Sequence, residues 1–401
     1  MVQIKLHGLN SWPALMLFLA AMALAYGAFF HLTGIFVPAG SQARIMDAGG
    51  RDLPIYWCAW QIHTQNGNLY SLPETQKHRS DPIDSKDVIH NPPWSLWLFA
   101  PVVWLPYESA HIAWIIINFL LIPLNVFLSL RLFRISAPQP FLLLFMCIFA
   151  PAFLCWYYGQ VSLALTAMTL LMLYWHRLRW DWLVGACLAC MTIKPHIYYL
   201  LAFLIGLNAL IHFRWRIFAG FTVTLGVLLL PFWMTGSAIS DWLHWIQGGQ
   251  ATIYMTTNIS TWIRIFIAAD NGIPPVWPMY LIPAISLTAG SCWLLSRKKT
   301  SLIWEELSIP LMAVSLLTAP YSWAYDFCLL MGWHVVLVSS WNQGRRVLPA
   351  VTCLCTFFFM AQTTFLQRDM HFLVWFPVAV IILWACRNQT GVVTPEKDFR
   401  P

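Results

Sequence analysis

Apolar residues in this chain fall in long continuous runs, separated by short clusters of basic or turn-forming residues. No run alternates with period two, so the pattern argues against membrane β-strands. Lipid offers no partners for backbone N–H and C=O groups, which leaves only helices or closed barrels to cross it. Helices are therefore predicted. A spanning helix needs about 20 apolar residues, with about 17 to 25 tolerated. Candidate spans lie at 12–33, 111–131, 139–156, 161–176, 181–194, 196–212, 216–234, 276–296, 302–319, 324–341, 347–363 and 370–386. The first is too long for a signal-peptide core and shows no clear cleavage site, so it reads as an uncleaved span.

Basic residues orient these runs. Lys5, Arg131 with Arg134, Arg177 with Arg179, Arg214 with Arg216, Arg297 to Lys299, Arg345 with Arg346, and Arg387 occupy alternate connections. Cytoplasmic loops carry such excess positive charge. Placing all of them inside gives both termini in the cytoplasm and twelve crossings. The expected fold is all-α: a polytopic integral membrane protein with residues 1–401 as a single transmembrane domain. Residues 92–106 are apolar but short and proline-punctuated, and counting them as a span would invert every later basic cluster. They are expected to form an interfacial or re-entrant helix, with Trp94, Trp97 and Trp104 at headgroup level.

This orientation leaves two sizeable external loops. The first, residues 34–92, holds Arg44, Asp47, Arg51, Asp52, His63, Glu74, His90 and Asn91. The second, residues 235–275, holds Asp241, His244, Arg264 and Asp270 among several tryptophans. Polar groups thus gather on one face of the membrane, and any chemistry is expected there.

Composition agrees with the class. The chain is 59% hydrophobic and 10% charged, with mean hydropathy +0.64, whereas soluble domains are about 25% charged. The net charge of +7 sits in the loop clusters and does not indicate nucleic acid. Of ten cysteines, nearly all lie inside apolar runs, so no disulfide framework is expected. Cys187 and Cys190 have a zinc-like spacing but no second pair, and read as packing. No P-loop, paired-histidine metal motif or nucleophile elbow occurs, so neither a cofactor nor a resident metal is expected.

Lys194 is the sharpest single residue. It stands in MTIKPHIYY between two short apolar arms whose outer flanks are both basic, so the chain must turn at Lys194-Pro195-His196, near the external headgroups. Pro195 suits that turn because it interrupts a helical ladder. An ammonium at that depth is costly unless it faces water or an anion; the bland alternative is snorkelling to the interface. Asp52 precedes a possible amphipathic helix over 54–65 and reads equally as a helix cap or a catalytic base. Asp47 competes with it, and His63 reads as a satisfied surface histidine. Gly159 permits a tight turn, after which Gln160 either binds a polar ligand or satisfies the turn. Asp326 begins an external-side span, where a carboxylate is commonplace.

In order, the chain carries Asp52–Tyr56 as D-L-x-x-Y, Gly67–Tyr70 as G-x-x-L-Y, Pro92-Pro93 opening an apolar segment, Gly159-Gln160, Lys194-Pro195, and Ser322–Asp326 as S-W-x-x-D. This series resembles the bacterial glycosyltransferase family 87, the polyprenyl-phosphate-mannose-dependent α-mannosyltransferases of the GT-C class, over roughly residues 12–340. Two positions depart from the family pattern. His90-Asn91 precede the two prolines where an aromatic residue is frequent, and Tyr325-Asp326 stands where a histidine is usual.

The resemblance implies a GT-C-like fold and an enzyme that moves a hexose, with mannose expected, from a polyprenyl-phosphate sugar to a hydroxyl of a glycolipid or glycan acceptor. Transfer would occur with inversion, at the periplasmic or exterior face of the inner (plasma) membrane. The resemblance makes Asp52 the catalytic base, and Lys194 with His196 the partners of the donor phosphate. Gln160, His90, Asn91 and Asp326 become candidate substrate contacts. The alternative is a transporter or flippase of lipid-linked sugar intermediates. That reading expects inverted repeats and midplane charges, and the sequence offers neither.

Overall fold

A computed structural model describes residues 20–24, 52–78, 88–135, 140–234, 238–247, 255–271, 274–297, 302–343, 346–365 and 370–389. Among these residues every regular element is a helix and there is no strand. Only residues 20–24 of the expected first span are described; they are helical, and Met22 is fully buried. Asp47, with Arg44 and Arg51, lies outside the described residues.

The segment expected as the first external loop contains α1 (Leu53–Thr64) and α2 (Leu72–Lys77). The helix expected over 54–65 is thus present, but it does not lie open on a surface. Leu53, Tyr56, Ala59, Trp60 and Ile62 are all buried, and α1 packs on α3 (Leu96–Val103). A Cβ on Gly67 would collide with Ile62 and Glu74, so glycine lets the chain pass between α1 and α2.

Helix α3 follows a 3-10 turn at Pro93–Ser95. Its 8 residues rise only about 12 Å against a hydrocarbon core of about 30 Å. It cannot cross alone. Trp97 and Trp104 face outward, while Trp94 is buried and its indole N–H donates to Thr192 Oγ1 at 3.0 Å.

The core follows: α4 (Tyr107–Leu132), α5 (Pro140–Cys147), α6 (Ala150–Tyr158), α7 (Ser162–Arg177), α8 (Asp181–Met191), α9 (Pro195–Ile211) and α10 (Trp215–Met234). The expected span 139–156 is broken at residues 148–149 into α5 and α6, with Pro151 opening the second piece as a residue that needs no helical N–H. Residues 235–275, the expected second external loop, hold α11 (Ala238–Gln247) and α12 (Ile259–Asn271). Then come α13 (Pro278–Ser296), α14 (Trp304–Thr318), a 3-10 segment at Ala324–Leu330, α15 (Met331–Ser339), α16 (Val347–Phe365) and α17 (Trp375–Gln389).

Three of the described helices, α4, α10 and α13, are individually long and apolar enough to cross a membrane. Outward-facing Val223, Val227, Leu230, Tyr280, Leu281 and Ile285 give α10 and α13 apolar outer faces. The other apolar helices are shorter, so twelve crossings require several of these shorter helices to count as spans. At the centre, α4 packs on α7, α7 on α8, and α9 on α14. Helices α8 and α10 approach most closely. A Cβ on Gly185 would strike the backbone of Ile217 and Phe221, and one on Gly220 the backbone of Trp182. Small residues at such crossings give lipid-embedded helices their dispersion contact.

This contact makes a prediction. Gly185→Leu should sharply reduce the yield of monodisperse protein in detergent and lower its thermal midpoint. Gly206→Leu, with nothing within 4 Å of its added Cβ, should leave both near wild type. Equal behaviour of the two variants would show that the α8–α10 contact is not needed.

Candidate active site

The site is assembled by three turns. Helix α6 ends at Gly159, whose φ of 68° is the left-handed conformation that glycine adopts without a Cβ penalty. The Gln160 N–H reaches back to the Cys155 carbonyl at 2.9 Å, and the Trp114 indole N–H donates to the Gly159 carbonyl at 2.7 Å. This closes the helix end in the manner of a left-handed cap and points the chain into α7, bringing Gln160 and Ser162 inward, both buried. Lys194 ends the second turn as the N-cap of α9, with Pro195 in the first helical position, where its missing N–H costs nothing. The third turn leads through Ser322 into the 3-10 segment, where the Trp323 N–H donates to Asp326 Oδ2 at 3.0 Å.

These turns converge on one ammonium. Lys194 Nζ donates to Asp326 Oδ1 at 2.9 Å, to Gln160 Oε1 at 3.0 Å and to Ser162 Oγ at 3.0 Å. Ser162 in turn donates to Asp326 Oδ1 at 2.6 Å. All three ammonium hydrogens therefore have acceptors. Nζ also lies 4.9 Å from the centre of the Tyr325 ring, within cation–π range. Lys194 is 4% exposed and Asp326 0%, so this is a buried ion pair and not a snorkelling lysine.

The first loop closes over the pair. Asp52 occupies the N-cap position of α1, yet its side chain makes no capping hydrogen bond. Its carboxylate acts electrostatically on Tyr56, as Asp326 and Tyr321 also do. Both carboxylates act on Tyr325 as well, and the Gln160 side chain lies near it. Burial, and next the negative charge of Asp52, push the Tyr56 hydroxyl well above its ordinary pKa; it stays protonated, and so able to donate, throughout the physiological range. The Asn91 amide donates to the Tyr56 hydroxyl. His196 stacks on Tyr321 with ring centres 3.9 Å apart and lies in the field of both Asp326 and Lys194.

Of the residues singled out in the sequence, Asp52, Gln160, Lys194, His196 and Asp326 thus surround one cluster of tyrosines, with Asn91 at its edge. His90 stands further out, accepting from the Trp245 indole at 3.3 Å. His63 is half-buried, with its ring 4.8 Å from Phe232, and takes no part. Ser162, Tyr321 and Tyr325 were given no role by sequence. Tyr325 stands in the same S-W motif as Asp326, Tyr321 directly before it, and Ser162 in the same turn as Gln160, but nothing local marks them as partners. Among the described residues, no group of three His, Cys, Asp or Glu side chains could hold a metal ion.

A helical bundle with outward apolar faces, and a charged, aromatic-lined site at its turns, defines a membrane-embedded enzyme. The sequence pattern of glycosyltransferase family 87 matches residues 90–363, and the chain belongs to that family; it is a glycosyltransferase. The match begins at His90, after Asp52 and Tyr56. No curated protein and no solved structure matches the chain at a significant level.

Removing one member of a buried pair leaves an uncompensated charge, which costs about 3–5 kcal/mol. Lys194→Met and Asp326→Leu should each lower the thermal midpoint markedly. The double variant should recover much of the loss, as apolar replacement of both partners does elsewhere. Additive losses in a melting series would contradict a pairwise role.

Proposed function

We propose that the protein transfers a hexose, with mannose as the expected sugar, from a polyprenyl-phosphate donor to a hydroxyl of a glycolipid or glycan. The reaction occurs with inversion at the periplasmic or exterior face of the inner (plasma) membrane, the helices crossing it about twelve times. The observation that carries this reading is the fully bonded Lys194–Asp326 pair, beside two tyrosines, Tyr56 and Tyr325, that lie in the field of both Asp326 and Asp52. A carboxylate and a buried ammonium share one aromatic-walled site.

In this mechanism the acceptor oxygen attacks the anomeric carbon in a single displacement. Asp52 takes the acceptor proton as the new C–O bond forms. The bond from the anomeric carbon to the phosphate oxygen breaks, and polyprenyl phosphate leaves with its electron pair. Its growing charge is met by Lys194 and His196 in a water-poor setting, where such interactions are strongest. A phosphate oxygen must replace Gln160 or Ser162 as an acceptor of Lys194, because the ammonium has no spare hydrogen. Asp326 acts chiefly through Lys194, which it pairs, while the Ser162 hydroxyl and the Trp323 N–H hold its oxygens in place. Gln160, Asn91 and His90 are left as the polar contacts for sugar.

Purified protein in nanodiscs, supplied with polyprenyl-phosphate hexoses and a membrane glycolipid extract, should give a new glycolipid by mass spectrometry. Asp52→Asn should lower the rate by about 100-fold or more, the usual scale for losing a general base, with unchanged folding. Lys194→Ala should also abolish transfer. Full activity in either well-folded variant contradicts the assigned roles.

A further inference from the structure

Beyond the Asp52 and Lys194 cluster, a second group of aromatic and polar residues is built by α11 against the first loop. Trp242 packs edge-on to Trp94 at 5.1 Å. Trp245, one turn of helix from Asp241, lies 5.6 Å from His90 and 6.3 Å from Tyr70 between ring centres. Asp241 is near enough to act electrostatically on Tyr70.

The hydrogen bonds in this group leave a specific remainder. The Tyr70 hydroxyl donates to the Asn91 carbonyl at 2.9 Å, so it cannot also donate to Asp241. The Trp245 N–H is used by His90 Nδ1. That bond makes Nδ1 an acceptor and, in the neutral ring, places the proton on Nε2. Asp241 Oδ2 and the Trp242 indole nitrogen are shielded from solvent and have no hydrogen-bond partner. Shielded polar atoms without partners are costly and rare. Here they are one strong acceptor and one donor, set among flat aromatic faces.

We propose that Asp241, Trp242 and Trp245 of α11, with Tyr70 and His90, form a subsite for a saccharide unit of the acceptor. A carboxylate and an indole N–H suit hydroxyl groups, and aromatic faces suit the C–H face of a sugar ring. A fatty chain would leave both polar atoms unmet, and a phosphate would be repelled by Asp241. The subsite is tied to the reaction centre by a hydrogen-bonded path. Tyr70 bonds the Asn91 carbonyl, and the Asn91 amide bonds Tyr56, beside Asp52. On the donor side, Trp94 bonds Thr192, two residues before Lys194. A sugar on α11 is thereby coupled through Tyr70 and Asn91 to Tyr56, next to Asp52.

The acceptor assignment rests on the glycosyltransfer reading above, whereas saccharide binding as such does not, and the experiment separates the two. Saturation-transfer NMR on the full chain in nanodiscs, with methyl glycosides of several hexoses and no donor, reads binding without turnover. At least one glycoside should bind, glycerol should not, and Asp241→Asn and Trp242→Phe should each weaken binding by about tenfold, the scale of one lost hydrogen bond to a charged or sealed group. Where transfer is measurable, Asp241→Asn should raise the acceptor KM by about tenfold and leave the donor KM unchanged. Saccharide binding without any transfer would support the subsite and count against the transferase reading. No glycoside binding, equal binding by glycerol, wild-type affinity in both variants, or a shift in donor KM alone would overturn the proposal.

Discussion

The structure turns on the ion pair between Lys194 and Asp326. Removing an ammonium from water is tolerable only where its charge and all of its hydrogens are met, and here two hydrogens are met by the turn after Gly159 and the third by Asp326. The requirement joins α7, α9 and the 3-10 segment at Ala324–Leu330 at one point. The turns themselves answer to it: Gly159 takes the left-handed conformation that delivers Gln160 and Ser162, and Pro195 starts a helix directly after the lysine.

On the proposed reading, the pair also shapes the chemistry. A lone buried lysine would bind any anion at its depth, including the headgroups of the bulk lipid. Asp326 neutralises it and leaves a polar but uncharged pair, whose acceptors Gln160 and Ser162 can be exchanged for those of a ligand. Specificity then comes from what surrounds the pair. Tyr325 lies against the ammonium, Tyr321 and His196 stack on each other, and Tyr56, held by Asn91, lies in the field of Asp326. Site and scaffold are the same set of contacts.

The helical class, the anomaly of Lys194 and the clustering of polar residues in certain turns were legible from hydropathy and charge, because burial in lipid leaves few ways to place a charge. The partner of Lys194 was not legible. Asp326 lies 132 residues away and looks locally like any carboxylate opening a helix, so nothing near it in sequence points to the lysine. Asp52 showed the reverse ambiguity: the cap position is real, but the capping bond is absent. The second external loop was legible as a tryptophan-rich connection. Its folding into α11 and α12 depends on packing against residues 93–95 and α13, which no local pattern carries. The break at residues 148–149 was hidden for a similar reason, since both halves are uniformly apolar and only Pro151 marks the restart.

On the proposed reading, Asp52 and the Lys194–Asp326 pair engage a single substrate from two sides. An experimental structure of the protein with polyprenyl phosphate bound tests it most directly. The account predicts phosphate density within hydrogen-bonding reach of Lys194 and His196, with Gln160 or Ser162 released from the ammonium and Asp52 across the gap. A phosphate bound elsewhere, with the hydrogen bonds of Lys194 unchanged, would contradict it.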